Sequence, residues 1–440
     1  MTHVTAPIEL SDEQLDGLVS VLSLIRSGQA STRPELARLS GLGRGAVAQR
    51  VATLLSHGLL EESGLAVSTG GRAPRELHVR AAAGLVLVAP LGATRNVAGI
   101  ADLSGALLVS DSETSDIAAG PETVLARVEQ LLDRLLADPS VPTNIPIVGI
   151  GVGLPGPVEF ASGRPSSPPI MPGWDGYDVR TRLQERYGAP VWVDNDVNLM
   201  ALGEIRSGLG KETPDVIYIK IGTGIGAGLV SGGRLHRGAQ GCSGDIGHVA
   251  VPEGQGIVCR CGNVGCLEAV AGGGALSRAG EAAAREGRSP VLEQLLRHKG
   301  FLLPSDITRS AAGGDPTAVE LIETAGRLVG ETLATLVNFF NPSLVLLGGE
   351  VAQDGDLLLA NVRETVYRRS LPLATRNLRI LRSPVSPDRG LLGTIAMVTD
   401  ELFGREHLAR WPAYGAVVPT ARQAGSRHPS LTVAAEAPDA

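Results

Sequence analysis

Aromatic residues are scarce, 3% of 440, so the core must be built from Leu, Val, Ile and Ala. Cysteine is scarcer: there are four, three of them crowded between 259 and 266. That is a poor disulfide framework for so long a chain and a better metal site. No apolar run nears the ~18 residues needed to span a bilayer, and the start lacks a charged segment leading into a hydrophobic one. A cytoplasmic protein with no membrane partner is therefore expected. Charged residues make up 19% and hydrophobic ones 43%, which excludes global disorder and leaves a core large enough for two or three domains. Glycine is plentiful, at 57 residues, as the tight turns and close backbone approaches of α/β nucleotide-type folds require.

Charge is unevenly placed. The chain carries a formal −7, yet residues 15–80 hold eight arginines, no lysine and five acids, a surplus of three positive charges. A small basic segment leading an acidic body is what a chain shows when one module alone meets nucleic acid.

Within that segment, Leu15, Leu18, Val19, Leu22 and Ile25 have helical spacing, ended by Gly28. Thr32 and Glu35 make a capping-box pattern with Pro34 in the first turn. A short second helix reaches about Ser40, Gly41 turns the chain, and a third carries Val47, Val51, Leu54 and Leu55 inward until His57-Gly58. Two extended stretches flank Ser68–Pro74. This predicts a winged helix-turn-helix over 15–80, after a disordered 1–14. Arg44, Ala48, Gln49 and Arg50 would face outward from the third helix, offering arginine to guanine and glutamine to adenine. Arg72 and Arg75 would serve the wing in phosphate or minor-groove contact. A three-helix interaction module with a solvated basic face is the plainer alternative.

After Gly84 strands alternate with helices: strands at 85–89, 97–103, 106–110, 147–152, 191–193, 216–221, 227–230 and 344–347, and helices at 123–136, 197–205 and 315–340. The pattern predicts two α/β lobes around a cleft, 84–210 with 385–402 and 211–384. The stretch 279–310 reads as a loosely patterned insertion, and 413–440, rich in Ala, Pro, Ser and Arg, as a disordered tail.

Cys259, Cys261 and Cys266 form C-x-C-x4-C, with His248 upstream. Three thiolates and an imidazole complete a closed tetrahedral set, the structural kind of zinc site; small buried cysteines or a transient disulfide are the alternative. Cys242 is left over as a free thiol. Asn195 and Asp196 follow a strand end, where open α/β sheets place ligands. An amide beside a carboxylate can bind pyranose hydroxyls; the alternative is a turn whose side chains bond to backbone. Gly222-Thr-Gly-Ile-Gly226 is a loop whose amides can cup an anion. Glu204 reads as a packing or hinge contact.

Taken in order, Gly151-Val-Gly-Leu-Pro-Gly-Pro-Val158, Val193-Asp-Asn-Asp-Val-Asn198 with Ala201-Leu-Gly-Glu204, Ile221–Gly228, Gly244-Asp-Ile-Gly-His248, Cys259–Glu268 and Leu346-Leu-Gly-Gly-Glu350 resemble the ROK family (repressor, open reading frame, kinase), in its regulator branch, over roughly 15–400. The resemblance implies a sugar kinase-like core of the actin/hexokinase-like ATPase type. It implies sugar contacts from Asn195, Asp196, Asp245, His248 and Glu268, with Asp196 as catalytic base if kinase activity is retained. Gly222, Thr223, Gly224 and Gly226 would be the phosphate loop, and His248, Cys259, Cys261 and Cys266 the ligands of a zinc that shapes the sugar-contact loop.

The first phosphate loop departs from the kinase pattern. Where family kinases carry an acid two places before Gly-Gly-Thr, this chain has Pro90-Leu-Gly-Ala-Thr94, and proline can neither coordinate magnesium nor donate an amide. Asp245 stands where the kinases have glutamate. The expectation is a sugar-responsive transcriptional repressor of carbohydrate-metabolism genes. It would be a homodimer or higher homo-oligomer on an inverted-repeat duplex DNA operator, with a sugar or sugar phosphate as effector. The alternative is an active ATP- and Mg-dependent hexose or amino-sugar kinase fused to a DNA-binding domain; a third reading makes a partner protein the effector.

Overall fold

In the computed structural model, which describes residues 11–65, 74–384 and 388–411, helix α1 (Asp12–Arg26) opens on a capping box. Ser11 Oγ accepts the Gln14 amide at 3.3 Å, and Gln14 Oε1 accepts the Ser11 amide at 3.1 Å. That pair starts the helix inside the 1–14 segment expected to be disordered. In α2 (Arg33–Leu39), Glu35 reaches back to accept the Ser31 and Thr32 amides at 2.9 and 3.0 Å. Helix α3 (Arg44–Ser56) buries Val47, Val51 and Leu54 against α1. Strands β1 (Leu60–Leu65) and β2 (Arg75–Val79) pair antiparallel and complete a winged three-helix head. The wing tip with Arg72, and the tail 413–440, lie outside the described residues.

Two five-stranded sheets follow, and they share one topology. In the first, β3 (Leu85–Pro90), β4 (Arg95–Asp102) and β5 (Leu107–Thr114) form an antiparallel meander. After α4 (Pro121–Leu136), β6 (Ile147–Leu154) adds parallel to β3. A two-stranded ribbon, β7 (Val158–Glu159) with β8 (Arg164–Pro165), and α5 (Val179–Tyr187) precede β9 (Val191–Asn195), giving the order β5-β4-β3-β6-β9. Helix α6 (Asp196–Ser207) then crosses to the second sheet. There β10 (Val216–Ile221), β11 (Ile225–Ser231) and β12 (Arg234–His236) repeat the meander. Strands β13 (Leu344–Gly348) and β14 (Arg379–Arg382) close the order β12-β11-β10-β13-β14. Parallel strands covered on both faces should read as unbroken apolar runs, and every residue of β6 is buried.

Between β12 and β13 lie α7 (Leu267–Ala271), α8 (Gly273–Arg285), α9 (Pro290–Lys299), α10 (Pro304–Ala312) and α11 (Pro316–Phe340). After α11 come β13, α12 (Leu357–Arg369), α13 (Pro372–Thr375), β14, α14 (Arg389–Leu402) and α15 (Arg405–Leu408). The stretch 279–310 is thus part of the second lobe's helical layer rather than a loose insertion. Its helices are short and individually capped. Ser289 Oγ accepts the Leu292 amide at 3.0 Å and donates to Asp315 at 2.8 Å. Leu292, Leu302 and Ile307 bury into the second lobe's core.

Helix α14 lies on the first sheet and against α6. A Cβ on Gly393 would sit 1.7 Å from the Leu199 carbonyl oxygen, so glycine there lets the two helix backbones touch. The head is not tethered loosely: Leu18, Leu22 and Leu54 belong to one apolar cluster with Val86, Leu402 and Trp411 of the first lobe. No helix among the described residues is long and apolar enough to cross a membrane.

Candidate functional site

The shared topology puts two equivalent turns face to face. The β3–β4 turn (Gly92–Arg95) and the β10–β11 turn (Gly222–Gly224) border one cleft of about 270 Å³, together with Asn195, Asp196, Asp245, His248 and Glu268. All five residues expected to contact sugar therefore converge on one space between the lobes.

Asn195 ends β9 and caps α6. Its Oδ1 accepts the amides of Val197 and Asn198 at 2.9 and 3.3 Å, and its Nδ2 donates to the Gly156 carbonyl at 2.9 Å. The side chain is committed to backbone, so its first role is to aim Asp196, and its acceptor is taken. Asp194 organises the same turn from behind, a role that none of the motifs announces. Only 2% exposed, it accepts the Asn195 amide at 2.7 Å, Asn198 Nδ2 at 2.9 Å and Arg237 Nε at 2.7 Å. A signal exists in the residues themselves: an acid at the end of a buried strand needs several donors.

Asp196, 5% exposed, opens α6. Its Oδ2 accepts from Lys220 Nζ, a residue of β10 that the motifs did not single out. Glu268 Oε2 accepts the Ile225 amide at 3.0 Å. A Cβ on Gly224 would fall 2.3 Å from that same oxygen, which is why the loop needs glycine there. The Gly222 amide turns to the Gly224 carbonyl at 2.9 Å, while among the described residues the amides of Thr223 and Gly224 meet no acceptor. Although Asp245 is open to the cleft, desolvation by the surrounding protein raises its carboxyl above the ordinary value, opposed by His248 and reinforced by Glu268. Glu204, 0% exposed and outside the cleft, accepts from the Leu209 amide at 3.0 Å and from Ser383 Oγ, and forms an ion pair with Arg389 at 3.1 Å. It is a packing contact between α6, the end of β14 and α14.

His248, Cys259, Cys261 and Cys266 hold their ligand atoms within 4.8 Å of one another. Sulfur atoms of a tetrahedron with bonds of about 2.3 Å lie about 3.8 Å apart; Cys261 and Cys266 are at 3.7 Å, and His248 Nδ1 is 3.8 Å from Cys259 Sγ. The donor set fits a metal ion. Burial, then hydrogen bonding with Cys261 and Cys259, pushes the Cys266 thiol up to about 12, and burial also raises Cys259. Such thiols lose their protons readily only to a cation. His248 borders the cleft as well, so with Nδ1 turned to the sulfurs its Nε2 remains for a ligand. Cys242 is exposed and unpaired with the other three.

In the head, Arg44, Ala48 and Gln49 are exposed on α3, and Arg75 is exposed on β2. Arg50 is not: it is 8% exposed, its Nε would lie 3.0 Å from a Cβ on Gly17 of α1, and it donates to Gln49 at 3.2 Å. The reason is periodicity. Position 50 shares the inner stripe with 47, 51 and 54, so the outward role expected of Arg50 is corrected to a packing one.

Head, duplicated sheets and inter-lobe cleft define a regulator-like chain: a winged helix joined to a two-lobed sugar-kinase-like core. The chain belongs to the ROK family, whose model matches residues 89–401. It is similar to the xylose repressor of Caldicellulosiruptor bescii, with 30% identity over 386 residues, 87% of this chain and 95% of that protein. Among solved structures it is similar to a ROK family transcriptional regulator described as a homologue of the E. coli MLC protein (TM-score 0.77, 26% identity, 92% of this chain and 100% of that one). It is also similar to a ROK family glucokinase from Streptomyces griseus, solved with glucose and AMPPNP (TM-score 0.63, 28% identity). That kinase is covered over 99% of its length but covers 72% of this chain. The two regulators thus cover more of this chain than the kinase does.

Proposed function

We propose that this chain is a sugar-responsive, DNA-binding transcriptional repressor, acting in the cytoplasm as a homodimer on an inverted-repeat operator. Its kinase-like core senses a pyranose or sugar phosphate. One observation carries this reading: a winged three-helix head is packed, through one apolar cluster, onto the lobe that supplies Asp196. Arg44 and Gln49 would read base edges in the major groove, with Arg75 on phosphate. Effector bound between the lobes would favour a closed state, and its differential affinity for the two states would set the change in operator affinity. His248, Cys259, Cys261 and Cys266 would hold zinc, which would supply a closed cross-link and no open coordination position. These residues would keep the loop from Asp245 to Glu268 in shape.

The kinase reading keeps Asp196 and the Gly222–Gly226 loop in its favour. Against it stand Pro90, which offers neither a carboxylate nor an amide hydrogen at the first phosphate loop, and the Lys220 ammonium on Asp196. A thermal-shift screen of free and phosphorylated sugars tests the sensor reading. A rise in Tm with one sugar in the absence of ATP is expected, whereas turnover in a coupled ATP assay, abolished by Asp196→Asn, would replace the sensor with an enzyme.

A further inference from the structure

Strand β10 lies in the middle of the second sheet and is apolar along most of its length, yet it carries Lys220 two residues before the glycine loop. A lysine in an interior strand is costly unless its ammonium finds a partner. Here the partner belongs to the other half of the molecule: Asp196, at the start of α6. Behind the cleft lies a second chamber of about 360 Å³. Asp196 and Lys220 border both spaces, so the pair stands in the wall between them.

That position matters for either use of the core. A phosphoryl group passing to a sugar would have to cross this wall while a carboxylate oxygen takes the hydroxyl proton, and Asp196 Oδ2 is already held by the ammonium. A hydroxyl is both donor and acceptor, so a carboxylate alone reads only half of it. An ammonium has three donors, of which Asp196 engages one, and Asp196 Oδ1 meets no partner among the described residues.

We propose that Lys220 is a specificity-determining residue of this cleft: with Asp196 it forms an ammonium–carboxylate clamp on a single pyranose hydroxyl. Lys220 Nζ donates to the hydroxyl oxygen and Asp196 Oδ1 accepts its hydrogen. The clamp rests on the reading of the cleft as a sugar site and deepens it.

The test is calorimetric titration of the full-length protein. D-glucose, D-xylose, N-acetyl-D-glucosamine and glucose 6-phosphate come first, then the monodeoxy derivatives of whichever binds. One deoxy derivative should bind the wild type about 10- to 100-fold more weakly than the parent sugar, the range for a hydrogen bond to a charged group. Lys220→Met should lose a similar factor for the parent sugar and distinguish that one deoxy derivative several-fold less sharply than the wild type, since only Asp196 Oδ1 then reads the hydroxyl, while distinguishing the others as before. A purely structural role would weaken all derivatives alike and leave that discrimination intact. Lys220→Gln, which keeps a donor toward Asp196, should fall between the two and serves if the methionine variant does not fold. Parent affinity and discrimination unchanged in both variants overturn the clamp alone. A wild type that binds none of the four probes overturns the sugar reading, and the clamp with it.

Discussion

Arg26, the last residue of α1, donates to Asp400 Oδ1 at 2.9 Å, while Arg206 of α6 donates to the other oxygen of that carboxylate at 2.6 Å. The head and the far end of the helix that begins with Asp196 therefore meet on one residue of α14. Twelve residues of α6 form a rod of about 18 Å, and its displacement at the cleft would reach Asp400 without crossing a loop. Arg26 is fixed further by Thr399 Oγ1 at 2.8 Å and by the Phe403 ring, 4.9 Å from its guanidinium carbon.

Arg26→Ala should uncouple the ends while sparing both. Sugar affinity, by calorimetry, should stay within about 2-fold. The sugar-induced change in operator affinity, in the usual coupling range of roughly 5- to 150-fold for the wild type, should shrink at least about 5-fold. An undiminished response would remove Asp400 from the route.

Glu204→Ala should destabilise without touching the cleft. Its carboxylate is fully enclosed, and removing it strands the Arg389 guanidinium, a loss of about 3–5 kcal/mol by urea denaturation. Sugar affinity of the folded fraction should match the wild type; a selective loss of affinity would make Glu204 a ligand after all.

Much of the site is legible in the order and spacing of the residues. Asn195-Asp196, the glycine loop and the cysteine spacing are local signals whose chemistry is tied to residue type and interval; the cleft gathers the first two, and the cysteines join it through His248. The signals that fail are those decided by tertiary partners. Arg50 has the composition of a base reader but the phase of a core residue, and phase wins. Lys220 looks like an interruption of an apolar strand until Asp196 is placed beside it. The helices within 279–310 are short and cut apart by Gly287, Pro290, Gly300 and Pro304, which breaks up their apolar stripes, and caps such as Ser289 mark where each begins.

Metal content should be about one zinc per chain. Cys261→Ser or chelation should release it, lower Tm, and weaken sugar binding by perturbing His248 and the loop to Glu268. A metal-free protein that keeps its sugar affinity would contradict this role.

In the head, Arg44→Ala and Gln49→Ala should change sequence preference at single operator positions, each by about 1–3 kcal/mol, whereas Arg75→Ala should weaken all sequences alike and flatten the salt dependence. Arg50→Ala should instead lower stability by about 1–3 kcal/mol through lost packing against Gly17. Preference altered by Arg50→Ala in a fully folded head would restore it to the reading face.

The most direct measurement is the fluorescence anisotropy of a labelled inverted-repeat duplex, selected by the protein from a random pool, titrated with protein as free and phosphorylated sugars are added. One sugar should shift the operator Kd by about 5- to 150-fold, and Asp196→Asn should abolish the shift while leaving sugar-free DNA binding intact. Tight, sequence-selective binding that no sugar alters would contradict the coupling of head to cleft.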